Sequence, residues 1–360
     1  VSEAKAVNQI AELKEFAVVH ARAQGIAEYR AILDRITHDG DGPGSWVGEW
    51  TAAADEFASR GEVLDAVRRY NLARFPYVDG PARQRAAELC ARTFTGWARE
   101  RGLTRVDVEL PGGLVRCWAD GLSTTGPRPL VLVSGGIVSI KEHWAPTLGL
   151  LRRFGLAGVV MELPGAGENT LRYDEDSWRM IPAILDRLAD RADVRRSYAL
   201  ALSFSGHLAL RAATEDPRLR GIVTVGAPID GFFTDRDWQS KLPAVTVATL
   251  AHQAAVPVAD LPDTLASWAL SAERLRGLDI PIAYVASARD EIIPRSDPES
   301  LAESVRDTAL LWHDDVHGAP GHVRHTQLWS ALSLLDMVGG RLPQRALLRV
   351  AVAIARLGRI

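Results

Sequence analysis

Cysteine is nearly missing from this chain of 360 residues: Cys90 and Cys117 are the only two. They form no CxxC pair and no plausible ligand set, so a disulfide framework and a cysteine-based zinc site are excluded, and core thiols in a reducing compartment are expected. Lysine is almost as scarce, occurring only as Lys5, Lys14, Lys141 and Lys241. The other cationic residues are arginine, which reads as a genomic GC bias. The net charge is −3, and no basic run with interleaved aromatics occurs, so nucleic acid is not an expected partner. No apolar run reaches the roughly 18 residues a membrane span needs. Repeats and low-complexity segments are also missing. The first residues, Val1-Ser2-Glu3-Ala4-Lys5, are too charged for the apolar stretch of a signal peptide. A cytoplasmic location follows as the expectation. What is present is ordinary: 47% hydrophobic and 24% charged residues, as in a soluble globular protein. The length suits one large domain with an attachment, or two domains.

Two kinds of periodicity divide the chain. Residues 1–104 are rich in Ala, Glu and Arg, with apolar residues at helical spacing, as in Val63, Ala66, Val67 and Tyr70. This is read as a helical N-terminal cap region, split by the glycine-rich break at 38–45. From Arg105 the period changes to two. Val106, Val108 and Leu110 alternate, Pro111-Gly112-Gly113 turns, and Leu114, Val115 and Cys117 continue as a hairpin. Short apolar strands then alternate with helices: 129–133, 156–163, 197–202, 221–225, 280–286 and 309–312. This pattern predicts an α/β fold, a mostly parallel sheet with helices on both faces, over 105–340. The connection from Val225 to Ile280 is far longer than an ordinary crossover. It is read as an inserted helical cap over 229–278, with helices at Trp238–Gln253 and Leu261–Leu275. Residues 341–360 form a basic C-terminal helix with an apolar face of Leu347, Val350, Ala351, Ile354 and Leu357. That face is expected to pack on its own domain or on a twin subunit, as in a homodimer.

The stretch from Tyr198 to Leu210 is a buried strand that ends in serine and runs into a helix. Its layout is that of a nucleophile elbow, G-x-S-x-G, here Ala201-Leu202-Ser203-Phe204-Ser205 with Gly206 following. Small residues are needed because strand and helix close tightly around the serine. Ser203 is the nucleophile candidate. Ser205 competes, but the bulky His207 stands at its +2 position. A serine nucleophile needs a base, and the base an orienting acid. Asp290 follows the strand Tyr284–Ala286 closely enough to face the same rim, with Glu291 as its neighbour and alternative. The base must come from His313, His317, His322 or His325. His313 lies too close to the strand, His317 has a workable loop length, and His322 precedes the final helix. The order Ser, Asp, His is that of an α/β-hydrolase. The oxyanion hole is assigned to the Phe204 N–H and, from the Ser134-Gly135-Gly136 loop, the Ile137 N–H. No metal set with recognised spacing accompanies the histidines. No cofactor is expected.

Four segments together resemble the FrsA-like α/β-hydrolase family. They are Gly135-Gly136-Ile137-Val138-Ser139-Ile140-Lys141-Glu142, Glu162-Leu163-Pro164-Gly165-Ala166-Gly167-Glu168, the Ser203 elbow, and Gly321-His322-Val323-Arg324-His325-Thr326. Arg69–Phe75 resembles that group's N-terminal cap. The chain departs from the pattern at Ala201 and Ser205, which replace elbow glycines, and at Gly321, where an acid is usual. The resemblance implies catalytic Ser203, Asp290 and His322, the first histidine of its segment, with His317 as the substitute if the loop is lengthened. It also implies C–C bond hydrolysis next to a ketone in a polyketide-like or aryl β-diketone. Such cleavage requires a second acid to protonate carbon, for which Asp230 is a candidate. The residues alone reach only serine-dependent acyl transfer, so an esterase or thioesterase on a bulky acyl substrate is the alternative. A catalytically silent small-molecule binder is the third reading.

Overall fold

The computed structural model describes residues 3–340 and 342–356, with side chains from Ile10 onward. The chain divides into two compact units. One comprises residues 1–104 with 243–252, and the other residues 105–242 with 253–360.

The first unit is helical, as its 3.6-residue periodicity dictates. Its helices are α1 (Glu3–Ala23), α2 (Tyr29–Arg35), α3 (Trp46–Ser59), α4 (Val63–Ala73) and α5 (Pro81–Glu100). Ser45 caps α3, its side chain accepting from the Gly48 N–H. Trp46 and Trp50, on one face of α3, are fully buried. The Trp46 indole N–H donates to Leu72 O on α4 at 2.8 Å, so the polar handle of the ring is satisfied.

The second unit is built on one eight-stranded sheet. In chain order its elements begin β1 (Thr104–Leu110), β2 (Gly113–Asp120), β3 (Pro129–Ser134), α6 (Lys141–Trp144), α7 (Leu148–Arg153), β4 (Ala157–Met161), α8 (Met180–Leu188), β5 (Asp193–Ala201), α9 (Phe204–Ala213) and β6 (Leu219–Val225). The long connection follows, with α10 (Gly231–Thr234), α11 (Arg236–Gln239), α12 (Ala244–Ala254), whose residues up to His252 belong to the first unit, α13 (Leu261–Ala266) and α14 (Ala272–Arg276). Then come β7 (Ile282–Ser287), α15 (Ser296–Ser304), β8 (Thr308–His313), α16 (Val323–Val338) and α17 (Leu342–Arg356). The strand order is β1-β2-β4-β3-β5-β6-β7-β8. β2 meets β4 antiparallel, and the pairs from β4 through β8 are parallel. Every residue of β4 and β7 is buried, as a parallel sheet covered on both faces requires. This is the α/β-hydrolase arrangement, and it brings the ends of β3, β5, β7 and β8 to one rim.

Two expectations are corrected. The helical stretches expected at Trp238–Gln253 and Leu261–Leu275 are both interrupted. Pro243 separates α11 from α12, since proline cannot continue a helix. The chain breaks again between Ala266 and Ala272, where Ser271 caps α14 by accepting from Arg274 N–H at 3.3 Å. Of the two packings expected for the apolar face of the C-terminal helix, the one on its own domain is not found among the described residues. Leu347 and Val350 are 72% and 58% exposed. Arg345 and Arg349 instead pair with Asp336 on α16, and Leu348 and Val352 are half-buried. Leu357 lies outside the described residues. No single helix among the described residues is long and apolar enough to cross a membrane.

His207 on α9 is 3% exposed and packs against Phe233, its Nε2–H donating to Trp268 O at 2.9 Å. Burial pushes its pKa down to about 4. The unfolded chain takes up this proton near pH 6.5 and the fold refuses it, so stability is lost as pH falls from about 6.5 toward 4. Between about pH 7 and pH 5, urea unfolding is expected to show wild type losing about 2 kcal/mol more than His207→Gln. Equal pH slopes for the two proteins would contradict this assignment.

Candidate active site

β5 ends at Ala201, and the next two residues are pinned to neighbouring strands. Leu202 N–H donates to Ser134 O at 2.9 Å and Ser203 N–H to Val225 O at 2.8 Å. Ser203 is thereby held at φ +56°, ψ −129°, a conformation costing about 1–3 kcal/mol for a residue with a side chain. The glycine that this turn cannot lose is Gly206. A Cβ there would stand 2.1 Å from Thr224 Oγ1 and 2.8 Å from Ala227 Cβ. Ala201 and Ser205 are tolerated where the pattern has glycine because the tight approach occurs at Gly206. Ser205 is fully buried, its hydroxyl engaged with Leu202 O and Ser134 O. It has no access to a substrate.

The histidine that reaches Ser203 is His317. Its Nε2 lies 3.1 Å from Ser203 Oγ. Its Nδ1 lies 3.0 Å from both carboxylate oxygens of Asp290. An anionic acceptor at Nδ1 requires the proton there, which leaves Nε2 free to accept from the serine hydroxyl. Asp290 is itself fixed, accepting the N–H groups of Ile292 and Ile293 at 2.9 and 2.8 Å. Glu291, the alternative acid, accepts the backbone N–H of His317 at 3.0 Å and so holds the ring's backbone rather than the ring. Gly226, at φ +60°, leaves room for the imidazole: a Cβ there would be 2.7 Å from His317 Cε1. Burial alone would lower the His317 pKa. The adjacent Asp290 carboxylate, reinforced by Glu291, outweighs it, and the net shift is upward.

The expectation that placed His322 against Ser203 is therefore corrected by the geometry. Its Nδ1 lies 3.0 Å from Asp315 Oδ2, and its ring stacks on His313 with centroids 4.3 Å apart. Asp315 also accepts the Gly321 N–H at 2.7 Å and the Val316 N–H at 2.9 Å. A Cβ on Gly321 would stand 3.0 Å from the same carboxylate, so the position where the family pattern has an acid is occupied by the Asp315 side chain. His313 ends β8, and its Nε2 meets Thr326 Oγ1 at 3.2 Å. The loop from Asp314 to His322 is thus knotted around Asp315, which presents His317 to the serine and turns His322 away. Asp230 precedes α10 and its side chain caps nothing there.

The loop after β3 passes directly over the serine. A Cβ on Gly136 would be 3.1 Å from Ser203 Cβ and 3.4 Å from Oγ, so glycine permits the approach. Neither the Ile137 N–H nor the Phe204 N–H donates to another of the described groups. The far end of the loop is anchored in a buried charge cluster. Lys141 Nζ lies 2.8 Å from Glu142, 3.1 Å from Glu162 and 2.8 Å from Glu168. The Glu162 carboxylate also accepts the N–H of Lys141 at 3.0 Å and of Glu168 at 2.6 Å. A Cβ on Gly167 would collide with that carboxylate at 2.3 Å. The two motifs noted in the sequence, Gly135–Glu142 and Glu162–Glu168, are therefore one unit in space. Adjacent charged residues at their ends were the visible signal, but no linear spacing indicates that they meet.

Comparisons with known proteins agree with this architecture. A family model described as esterase FrsA-like matches residues 40–314. The curated protein esterase FrsA of Photobacterium profundum is 24% identical over 324 residues, covering 79% of this chain and 76% of its own. Esterase FrsA of Vibrio cholerae is 26% identical over 320 residues, covering 78% and 77%. Among solved structures, AbyA5 superposes with a TM-score of 0.93 at 52% identity, covering 96% of this chain and 99% of its own. The 2,6-dihydroxy-pseudo-oxynicotine hydrolase shares the fold, with a TM-score of 0.73 at 19% identity over 89% and 96%. The family match spans the elbow, the Asp290 loop and the paired Lys141 and Glu162 motifs, all of which converge on one rim of an α/β-hydrolase sheet, and the chain accordingly belongs to the FrsA-like esterase family and is a hydrolase of the α/β-hydrolase type.

Proposed function

We propose that this hydrolase works by serine catalysis, with Ser203 as nucleophile, His317 as base and Asp290 as orienting acid. The observation that carries the reading is the continuous relay from Ser203 Oγ through His317 to Asp290, at 3.1 and 3.0 Å. As Oγ attacks a carbonyl carbon, its proton passes to His317 Nε2, and Asp290 stabilises the imidazolium. The carbonyl oxygen becomes an oxyanion held by the Phe204 and Ile137 N–H groups. The leaving group then takes the proton from Nε2. Water, activated by the same nitrogen, releases the acyl group from Ser203.

The leaving group separates the two substrate classes. With an ester or thioester, the proton goes to oxygen or sulfur and His317 suffices. With a β-diketone or polyketide-like ketone, a carbon–carbon bond breaks and the proton goes to an enolate. The ester reading needs no further acid, and the family's description as esterase favours it. The C–C reading draws on the resemblance of the Gly135–Glu142 and Glu162–Glu168 segments.

Intact mass after fluorophosphonate treatment tests the proposal. Wild type is expected to gain one adduct and Ser203→Ala none. An unlabelled wild type would falsify serine catalysis, and a labelled variant would move the nucleophile elsewhere. Turnover of an aryl ester against an aryl β-diketone by the labelled-competent protein then decides the leaving group.

A further inference from the structure

We propose that Gln253 is a positioning residue for the oxyanion-binding turn, an inference that rests on the serine-hydrolase reading above. The turn runs from Gly136 to Ser139 and is closed by Ser139 N–H donating to Gly136 O at 2.9 Å. The Gly136–Ile137 peptide is planar and trans, so its N–H leaves from the edge opposite its carbonyl. With Gly136 O turned into the closing bond, the Ile137 N–H is directed out of the turn. The next peptide, Ile137–Val138, is the middle unit of the turn. That unit has the most rotational freedom, since type I and type II turns differ mainly in its orientation. Its carbonyl, Ile137 O, accepts a hydrogen bond from Gln253 Nε2 at 2.6 Å, with both residues buried. Gln253 thus holds the middle peptide of the turn through its carbonyl.

Gln253 is itself rigidly placed. It is 3% exposed. Its carbonyl accepts the Tyr173 N–H at 3.0 Å. Gly165, at φ +73°, passes so close that a Cβ there would lie 3.0 Å from Gln253 Cγ and 3.1 Å from its Cα. The Gly165 loop therefore confines the side chain from behind while the carboxamide reaches the turn. Only a donor at this length meets Ile137 O. Methionine fills the volume without donating, and asparagine keeps the amide but falls one methylene short.

The test compares wild type, Gln253→Met and Gln253→Asn, measuring aryl-ester kcat and KM, the pH profile, and affinity for an aryl trifluoromethyl ketone. That ketone adds to the serine and leaves an oxyanion in the hole. Both variants are expected to lose about 10- to 100-fold in kcat with KM within about threefold. Ketone affinity falls in parallel, and the acid limb of the pH profile stays where it is in wild type. Unchanged kcat and ketone affinity, with only thermal stability reduced, would make Gln253 a packing residue and overturn the proposal. If Gln253→Met does not fold, Gln253→Asn carries the comparison. Fluorophosphonate labelling of wild type is run alongside. Label without any Gln253 effect overturns this inference alone, and absence of label overturns the serine reading beneath it.

Discussion

Replacing His317 with alanine is expected to lower kcat by about 10⁴- to 10⁶-fold, the loss typical of removing the base from a serine relay. His322→Asn is expected to leave kcat within about threefold, because a group with no contact to the reacting atoms alters the barrier by little more than about 0.6 kcal/mol. Asparagine is chosen because its amide N–H stands near the position of Nδ1 and keeps the bond to Asp315, so the loop that carries His317 is not disturbed. The two variants separate the readings cleanly. Collapse of activity in His322→Asn with activity retained in His317→Ala would reverse the assignment made from the 3.1 Å contact. The pH profile gives an independent check. His317 must be neutral to accept the serine proton, and its pKa is raised by Asp290 against the effect of burial. Activity is therefore lost as pH falls through a value above the ordinary 6.5 or so. Asp290→Asn removes the raising charge and leaves the burial, so the acid limb shifts to lower pH while kcat drops by about 10⁴-fold. An acid limb at or below about 6.5 in wild type would contradict the ion pair.

Lys141→Met is expected to cost about 3–5 kcal/mol of stability, because it leaves buried carboxylates without their counter-ion. Lys141 is 1% exposed and Glu142 3%, and the Glu162 side chain is fully buried. Burial penalises the charge on Lys141 itself, but the three carboxylates more than compensate and raise its pKa. Burial pushes the Glu162 carboxyl up even with the lysine present. The sign of the pH dependence follows. A carboxyl with a raised folded pKa binds its proton more readily in the fold than in the unfolded chain, so acidification relieves the variant. The deficit of Lys141→Met is expected to be largest at neutral pH and to shrink as pH falls toward the Glu162 pKa. The double variant Lys141→Met, Glu162→Gln is expected to recover part of the loss at neutral pH, since its buried amide carries no charge. Urea unfolding of the three proteins measures this. A deficit below about 1 kcal/mol, or one that grows on acidification, would show that the cluster is not a paired buried network. Activity should fall with stability in Lys141→Met, because Lys141 Nζ holds the Glu162 carboxylate that accepts the backbone N–H at the end of the loop over Ser203.

The sequence by itself determined the sheet and the elbow. Strands such as Pro129–Ser134 and Ile282–Ser287 are legible because a two-sided buried strand must be a short unbroken apolar run. The turn at Ser203 is legible because the small residues it demands lie within a few positions of one another, and the structure adds that Gly206 alone among them has no room for a side chain. The same locality made Asp290 readable from its distance beyond β7. The histidine that meets Ser203 was not readable from spacing alone. His317 and His322 lie in one loop, four and nine residues beyond His313 at the end of β8. What distinguishes them is that Asp315 gathers the N–H groups of Val316 and Gly321 with the ring of His322, while Glu291 holds the backbone of His317. Glu291 is 26 residues from His317, and Gln253 is 116 from the carbonyl it fixes. The meeting of Lys141 with Glu162 and the pairing of Arg345 and Arg349 with Asp336 belong to the same class. Periodicity and turn chemistry record interactions over a few residues, whereas a loop's path and a buried ion's partner are set by side chains that become neighbours only after the sheet has formed.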